Sequence, residues 1–171
     1  MLNNRGFDLW ADDYDKCVGV SDEDGTYPFA GYKAILNEIY HRVLNSSAKT
    51  VLDIGFGTGT LTSKLYEYGC MIYGQDFSER MIELAQEKMP NAELFQGDFL
   101  KGLAEPLTQK KYDAIISTYA LHHLTDAQKI SFINSLLSLL NDGGCIYIGD
   151  VAFGTRASLE KCMDDTGNEW D

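Results

Sequence analysis

Between residues 50 and 149 the chain alternates short apolar runs with amphipathic stretches. The runs at 50–54, 70–75, 92–96, 112–117 and 145–149 are rich in branched and aromatic residues and bounded by Gly, Pro, Asn or Asp. They predict five buried strands. Leu61, Leu65 and Tyr68 recur on one face and predict a helix over 60–68. Ser78 reads as the N-cap of a helix over 79–89, which Pro90 closes. A third helix is expected from about 126 to 140, and Asn141-Asp142-Gly143-Gly144 reads as a turn before the last strand. Upstream, Ile35, Leu36, Ile39 and Val43 predict a helix over 27–44, and residues 8–16 suit another. Strand and helix in alternation imply a doubly wound α/β fold, a mostly parallel sheet with helices on both faces. Right-handed crossovers put its functional crevice at the carboxyl ends of the strands.

Composition narrows the partners. A chain of 171 residues with 44% hydrophobic residues suits one α/β core. Its 26 acids against 14 bases give a net charge of −12, a field that repels phosphate backbones and argues against nucleic acid. Cys17, Cys70, Cys145 and Cys162 form no CxxC pair and have only three histidines to join them, so no metal site is expected. No apolar leader opens the chain and no apolar run reaches about 18 residues, so no membrane partner is expected, and a cytoplasmic protein with reduced thiols is.

The chemistry begins at VLDIGFGTGTLT, residues 51–62. Gly55, Gly57 and Gly59 follow the first strand and precede a helix, where glycine lets backbone approach a ligand and the helix N-terminus adds free N–H groups. A dinucleotide fingerprint, GxGxxG, would need its third glycine at position 60, which is Thr60. Asp53 precedes the loop, and a carboxylate there repels a pyrophosphate while suiting a ligand with a positively charged amino-acid end. S-adenosylmethionine is such a ligand: a nucleoside with a sulfonium and no phosphate.

The stretch resembles motif I of the class I S-adenosylmethionine-dependent methyltransferases, with a bacterial small-molecule branch nearest in character. YGQDFSERMIELAQEKM, FQGDFL, YDAIISTYALHHL and LNDGGCIYIGD resemble the family's later motifs in their order. The resemblance implies a Rossmann-like fold in which Asp76 holds both ribose hydroxyls, Asp98 meets the adenine amino group and the Phe99 N–H meets a ring nitrogen. Asp53, Gly55, Gly57, Gly59, Phe77 and Ser117 complete the implied cofactor set. Each has a plainer reading beside it: Asp53 orders the loop, Asp76 caps a helix, Asp98 makes a turn. His122, Tyr14 and Tyr119 are the candidates for the acceptor side, with core packing and helix capping as their alternatives. The implied reaction moves a methyl group to an oxygen, nitrogen or sulfur atom of a small molecule.

Three regions follow: a helical cap at 1–48, a cofactor-binding core at 49–150 and a short C-terminal segment at 151–171. The family core has seven strands, the last pair antiparallel, whereas five are predicted here. The missing edge strands leave an open edge that invites a homodimer. They also motivate an alternative, a catalytically silent cofactor-binding module. A nicotinamide-dependent oxidoreductase is opposed by Thr60 and Asp53. An RNA or protein methyltransferase is opposed by the acidic charge and by a fourth-strand motif without an Asn-Pro-Pro-Tyr type sequence.

Overall fold

The computed structural model describes residues 31–167, so the helix expected at 8–16 and Tyr14 lie outside the described residues. Chain order runs α1 (Tyr32–Asn45), β1 (Thr50–Ile54), α2 (Thr60–Tyr68), β2 (Met71–Asp76), α3 (Glu79–Lys88), β3 (Glu93–Gln96), α4 (Glu105–Thr108), β4 (Tyr112–Thr118), α5 (Asp126–Leu137), β5 (Leu140–Gly149) and α6 (Arg156–Thr166). Short 3-10 turns at Phe99–Lys101 and Leu121–His123 lead out of the β3 and β4 regions. Local chemistry marks the boundaries. The Ser78 hydroxyl accepts the Met81 N–H at the start of α3, and Thr125 and Gln128 form a reciprocal capping box at the start of α5.

The strands form one sheet in the order β3-β2-β1-β4-β5, every pair parallel. Strand order reverses between β1 and β4, which is where such sheets open a crevice. Strand periodicity sorts the core into two layers. Val51, Ile72, Ala114 and Ile116 pack with α1, α2 and α3 on one face. Leu52, Ile54, Tyr112 and Ile115 pack with Leu107 of α4 and with Phe132 and Leu136 of α5 on the other. This is the Rossmann-like doubly wound arrangement that the sequence pattern implies, with five strands among the described residues.

Two boundaries differ from expectation. Helix α5 stops at Leu137, and β5 begins at Leu140 rather than Cys145. The polar cluster 141–144 is an irregularity inside β5: Tyr112 pairs with Leu140, but Ala114 pairs with Cys145. At Gly144 a Cβ would come within 3.0 Å of the Asn141 and Tyr112 carbonyl oxygens, so close backbone approach lets the extra residues bulge while pairing continues.

Candidate active site

The site grows from the loops that leave β1, β2 and β4. Asp53 has the parity of Val51, so it points to the α2 face, where the Thr62 hydroxyl donates to its Oδ2. Its Oδ1 is buried and has no hydrogen-bond partner. Burial pushes the Asp53 carboxyl up to about 7; the Thr62 bond opposes this and the nearby charge of Asp76 adds to it.

Gly55, Gly57 and Gly59 all have positive φ, at 70°, 55° and 75°. At Gly55 the need is doubled, because a Cβ there would stand 2.5 Å from the Ala120 Cβ. The chain leaving β4 is therefore pressed directly against the glycine loop. The Phe99 ring comes as close as 3.9 Å to the same Cβ position and stacks at 5.6 Å on Phe132. At Gly59, close packing of α2 on α3 leaves 3.0 Å between a Cβ position and the Met89 Cε.

Asp76, at the end of β2, ties the loop to the next helix. Its Oδ2 accepts the Gly57 N–H at 2.8 Å and its Oδ1 accepts the Ser78 N–H at 2.9 Å. The Lys88 ammonium donates to the Thr58 carbonyl at 2.9 Å, from the far end of α3. Ser117 fastens the other side of the crevice: its hydroxyl, 2% exposed, donates to the Ile54 carbonyl at 2.9 Å.

The remaining sequence candidates divide. Asp98 caps the Phe99–Lys101 turn through the Leu100 N–H at 2.9 Å and pairs with Lys101 at 3.4 Å. The Phe77 carbonyl accepts from the Gln96 amide. Tyr119 is buried in the α1 layer, its ring 5.2 Å from Tyr32, and adopts φ 51° despite its side chain. His122 is held by Asp150: its backbone N–H donates to Oδ2 at 3.0 Å and its Nδ1 lies 2.7 Å from Oδ1.

Two contributors were not read from the sequence. Asp150 stands 28 residues from His122, and only parallel pairing of β4 with β5 brings them together. Gln75, fully buried in β2, accepts the Ala104 N–H and donates to the Gly102 carbonyl, which anchors the loop after β3. An amide in an otherwise apolar strand was the available signal for Gln75.

A parallel sheet of this order, with a glycine loop at its switch point, Asp76 bonded to that loop and Asp53 buried just before it, defines a Rossmann-like α/β domain of the nucleoside-binding kind. Within that class, the family model described as a methyltransferase domain matches residues 51–144, and the chain belongs to that family. An uncharacterized methyltransferase of Anoxybacillus flavithermus is 42% identical over 157 residues, covering 92% of this chain and 71% of the relative. One of Geobacillus thermodenitrificans is 40% identical over 159 residues, covering 92% and 71%. Among solved structures, the DhpI-SAM-HEP complex matches with TM-score 0.68 at 24% identity, covering 94% of this chain and 69% of that one. SAM-bound CalS10, an amino pentose methyltransferase from Micromonospora echinaspora, matches with TM-score 0.60 at 21% identity, covering 70% and 50%. These two likenesses concern the fold.

Proposed function

We propose that the protein transfers a methyl group from S-adenosylmethionine to an oxygen, nitrogen or sulfur nucleophile of a small molecule. One observation carries the reading: Asp76 bonds the glycine loop through the Gly57 N–H, and Asp53, two residues before that loop, keeps a buried oxygen, Oδ1, with no hydrogen-bond partner. That arrangement suits a ligand whose end near β1 is an ammonium, and it opposes a pyrophosphate. Asp53 Oδ1 then accepts from the amino-acid end of the donor. Asp76 bonds the Gly57 and Ser78 N–H groups and, in this reading, also meets the ribose hydroxyls. Gly55 and Gly57 let backbone lie against the ligand, Asp98 meets the adenine amino group and Phe99 covers the base. When bound, the donor supplies a methyl group already activated by its sulfonium.

The acceptor enters over the end of β4, near Thr118, Tyr119 and His122. Alignment for in-line displacement supplies much of the rate in such a site. The net charge of −12 argues for a small acceptor over nucleic acid. The free side of β5 among the described residues suits a second copy of the chain.

The test is Asp76→Ala, read by calorimetry with S-adenosylhomocysteine. We expect at least a tenfold loss of affinity, about 1.4 kcal/mol or more, because the variant loses the ribose acceptors and releases the Gly57 and Ser78 N–H groups. Unchanged affinity removes the ribose assignment. Heat from NAD and none from S-adenosylhomocysteine with the parent protein removes the whole reading.

A further inference from the structure

Asp150 immediately follows β5, and His122 lies in the turn after the neighbouring strand β4. The carboxylate grips His122 twice, by the backbone N–H at 3.0 Å and by ring Nδ1 at 2.7 Å, and its Oδ1 also accepts the Val151 N–H at 2.7 Å. Burial opposes ionisation of Asp150, but the His122 bond, the backbone bonds and, whenever His122 is protonated, its charge hold the carboxyl below the usual range. The other ring packed on His122 is His123, with centroids 4.1 Å apart. Ala120, two residues earlier, is the residue pressed against Gly55. The chain that carries His122 therefore passes directly over the glycine loop at Ala120.

We propose that Asp150 is a positioning residue that keeps neutral His122 protonated on Nδ1, leaving Nε2 as the base for a methyl acceptor that arrives carrying a proton, as a hydroxyl or an ammonium. The proposal rests on the methyl-transfer reading above. An ionised carboxylate only accepts hydrogen bonds, so the neutral imidazole against it must put its proton on Nδ1 and its lone pair on Nε2. The acceptor's O–H or N–H bond breaks and its proton passes to Nε2. The new bond to the methyl carbon forms as the methyl–sulfur bond breaks, and that electron pair stays on sulfur. A carboxylate or thiolate acceptor arrives without a proton and gives Nε2 no task. The backbone bond fixes where the ring starts from the chain, and the ring bond fixes its rotation, so one carboxylate sets both place and tautomer.

Long-range 1H–15N correlation spectra of the intact protein test this without an acceptor. The expected parent spectrum shows neutral His122 as the Nδ1–H tautomer. Sinefungin carries an amine in place of the methylsulfonium, and it displaces the His122 Nε2 resonance more than S-adenosylhomocysteine does. In Asp150→Asn the amide nitrogen meets a backbone N–H at either position, that of His122 or that of Val151, so the group no longer accepts on both sides. The carboxylate that holds the proton on Nδ1 is gone, and His122 populates the Nε2–H tautomer. His122→Gln, which keeps the backbone bond, binds S-adenosylhomocysteine within about threefold of the parent, about 0.7 kcal/mol. An Nε2–H tautomer in the parent, or an Nε2 resonance indifferent to sinefungin, overturns the proposal while leaving the cofactor reading intact. A parent that takes up neither nucleoside removes the reading beneath it, and the proposal with it.

Discussion

Asp53 is ionised above about pH 4 in the unfolded chain, yet burial keeps its proton on up to about 7 in the folded one. Below the unfolded value both states hold the proton and the residue costs nothing. As pH rises from about 4 to about 7 the unfolded state releases its proton and the folded state does not, so stability falls; above that window the cost is constant. Its size is on the order of 4 kcal/mol at most. Asp113 has the opposite sign. Burial raises its carboxyl, but bonds from Asn141, Lys49 and Thr50 hold it at about 2, so its contribution is full above about pH 4 and is lost as pH falls from there through about 2. The two effects separate in Asp53→Asn. Across chemical denaturation at several pH values, the variant should equal or trail the parent near pH 4 and gain on it steadily up to about pH 7. If the proposed cofactor role of Asp53 holds, the variant also binds S-adenosylmethionine less well. A parent and variant whose difference does not move between those pH values would show that Asp53 is not the buried acid described here.

At the scale of elements, α1 lies on the sheet because β5 makes room for it. A Cβ on Gly149 would stand 2.3 Å from the Ile35 Cγ2 and 3.0 Å from the Ile39 Cδ1. Gly149→Ala should therefore cost about 1–3 kcal/mol by overpacking. Trimming the partner in Gly149→Ala with Ile35→Ala, which removes that Cγ2, should return part of that loss, a coupling that a double-mutant cycle in urea measures. Simple additivity would mean that helix and strand do not meet there. The same contact shows why some of the fold was legible in the chain and some was not. Strands β1 to β4 and helices α2 and α3 fall within about two residues of their predicted positions, because apolar period and punctuation are local signals. The 141–144 cluster was read as a turn by its Asn, Asp and Gly content. That signal is blind to the pairing of Tyr112 with Leu140, which draws the cluster into a bulged strand. Gly149 looked like a strand end and carried no sign that a helix 110 or so residues earlier needs the space. The site divides in the same way. Asp53, the glycines and Asp76 sit at strand ends that sequence spacing locates, whereas the link between His122 and Asp150 is made only when β4 and β5 pair.

Charge acts over the whole molecule. The chain carries −12 net, and S-adenosylmethionine carries one positive charge more than S-adenosylhomocysteine, which has lost the sulfonium with the methyl group. The two ligands are otherwise alike, so the ratio of their affinities cancels the contacts they share, those proposed for Asp76, Asp98 and the glycine loop among them. What remains is the local cost or gain at the methyl group and the pull of the acidic field on the extra charge. Salt separates these two. Screening lengths are about 30 Å at about 0.01 M and about 3 Å at about 1 M salt, so high salt removes the long-range pull and leaves the local part. The preference for S-adenosylmethionine over S-adenosylhomocysteine should then be severalfold greater at the lower salt, measured by calorimetry with both ligands at each condition. Donor capture and product release both gain from this: the field draws in the charged ligand and holds the neutral one less. A ratio that does not change with salt would place the entire discrimination in the immediate neighbourhood of the sulfonium, and would deprive the acidic surface of any part in the reaction.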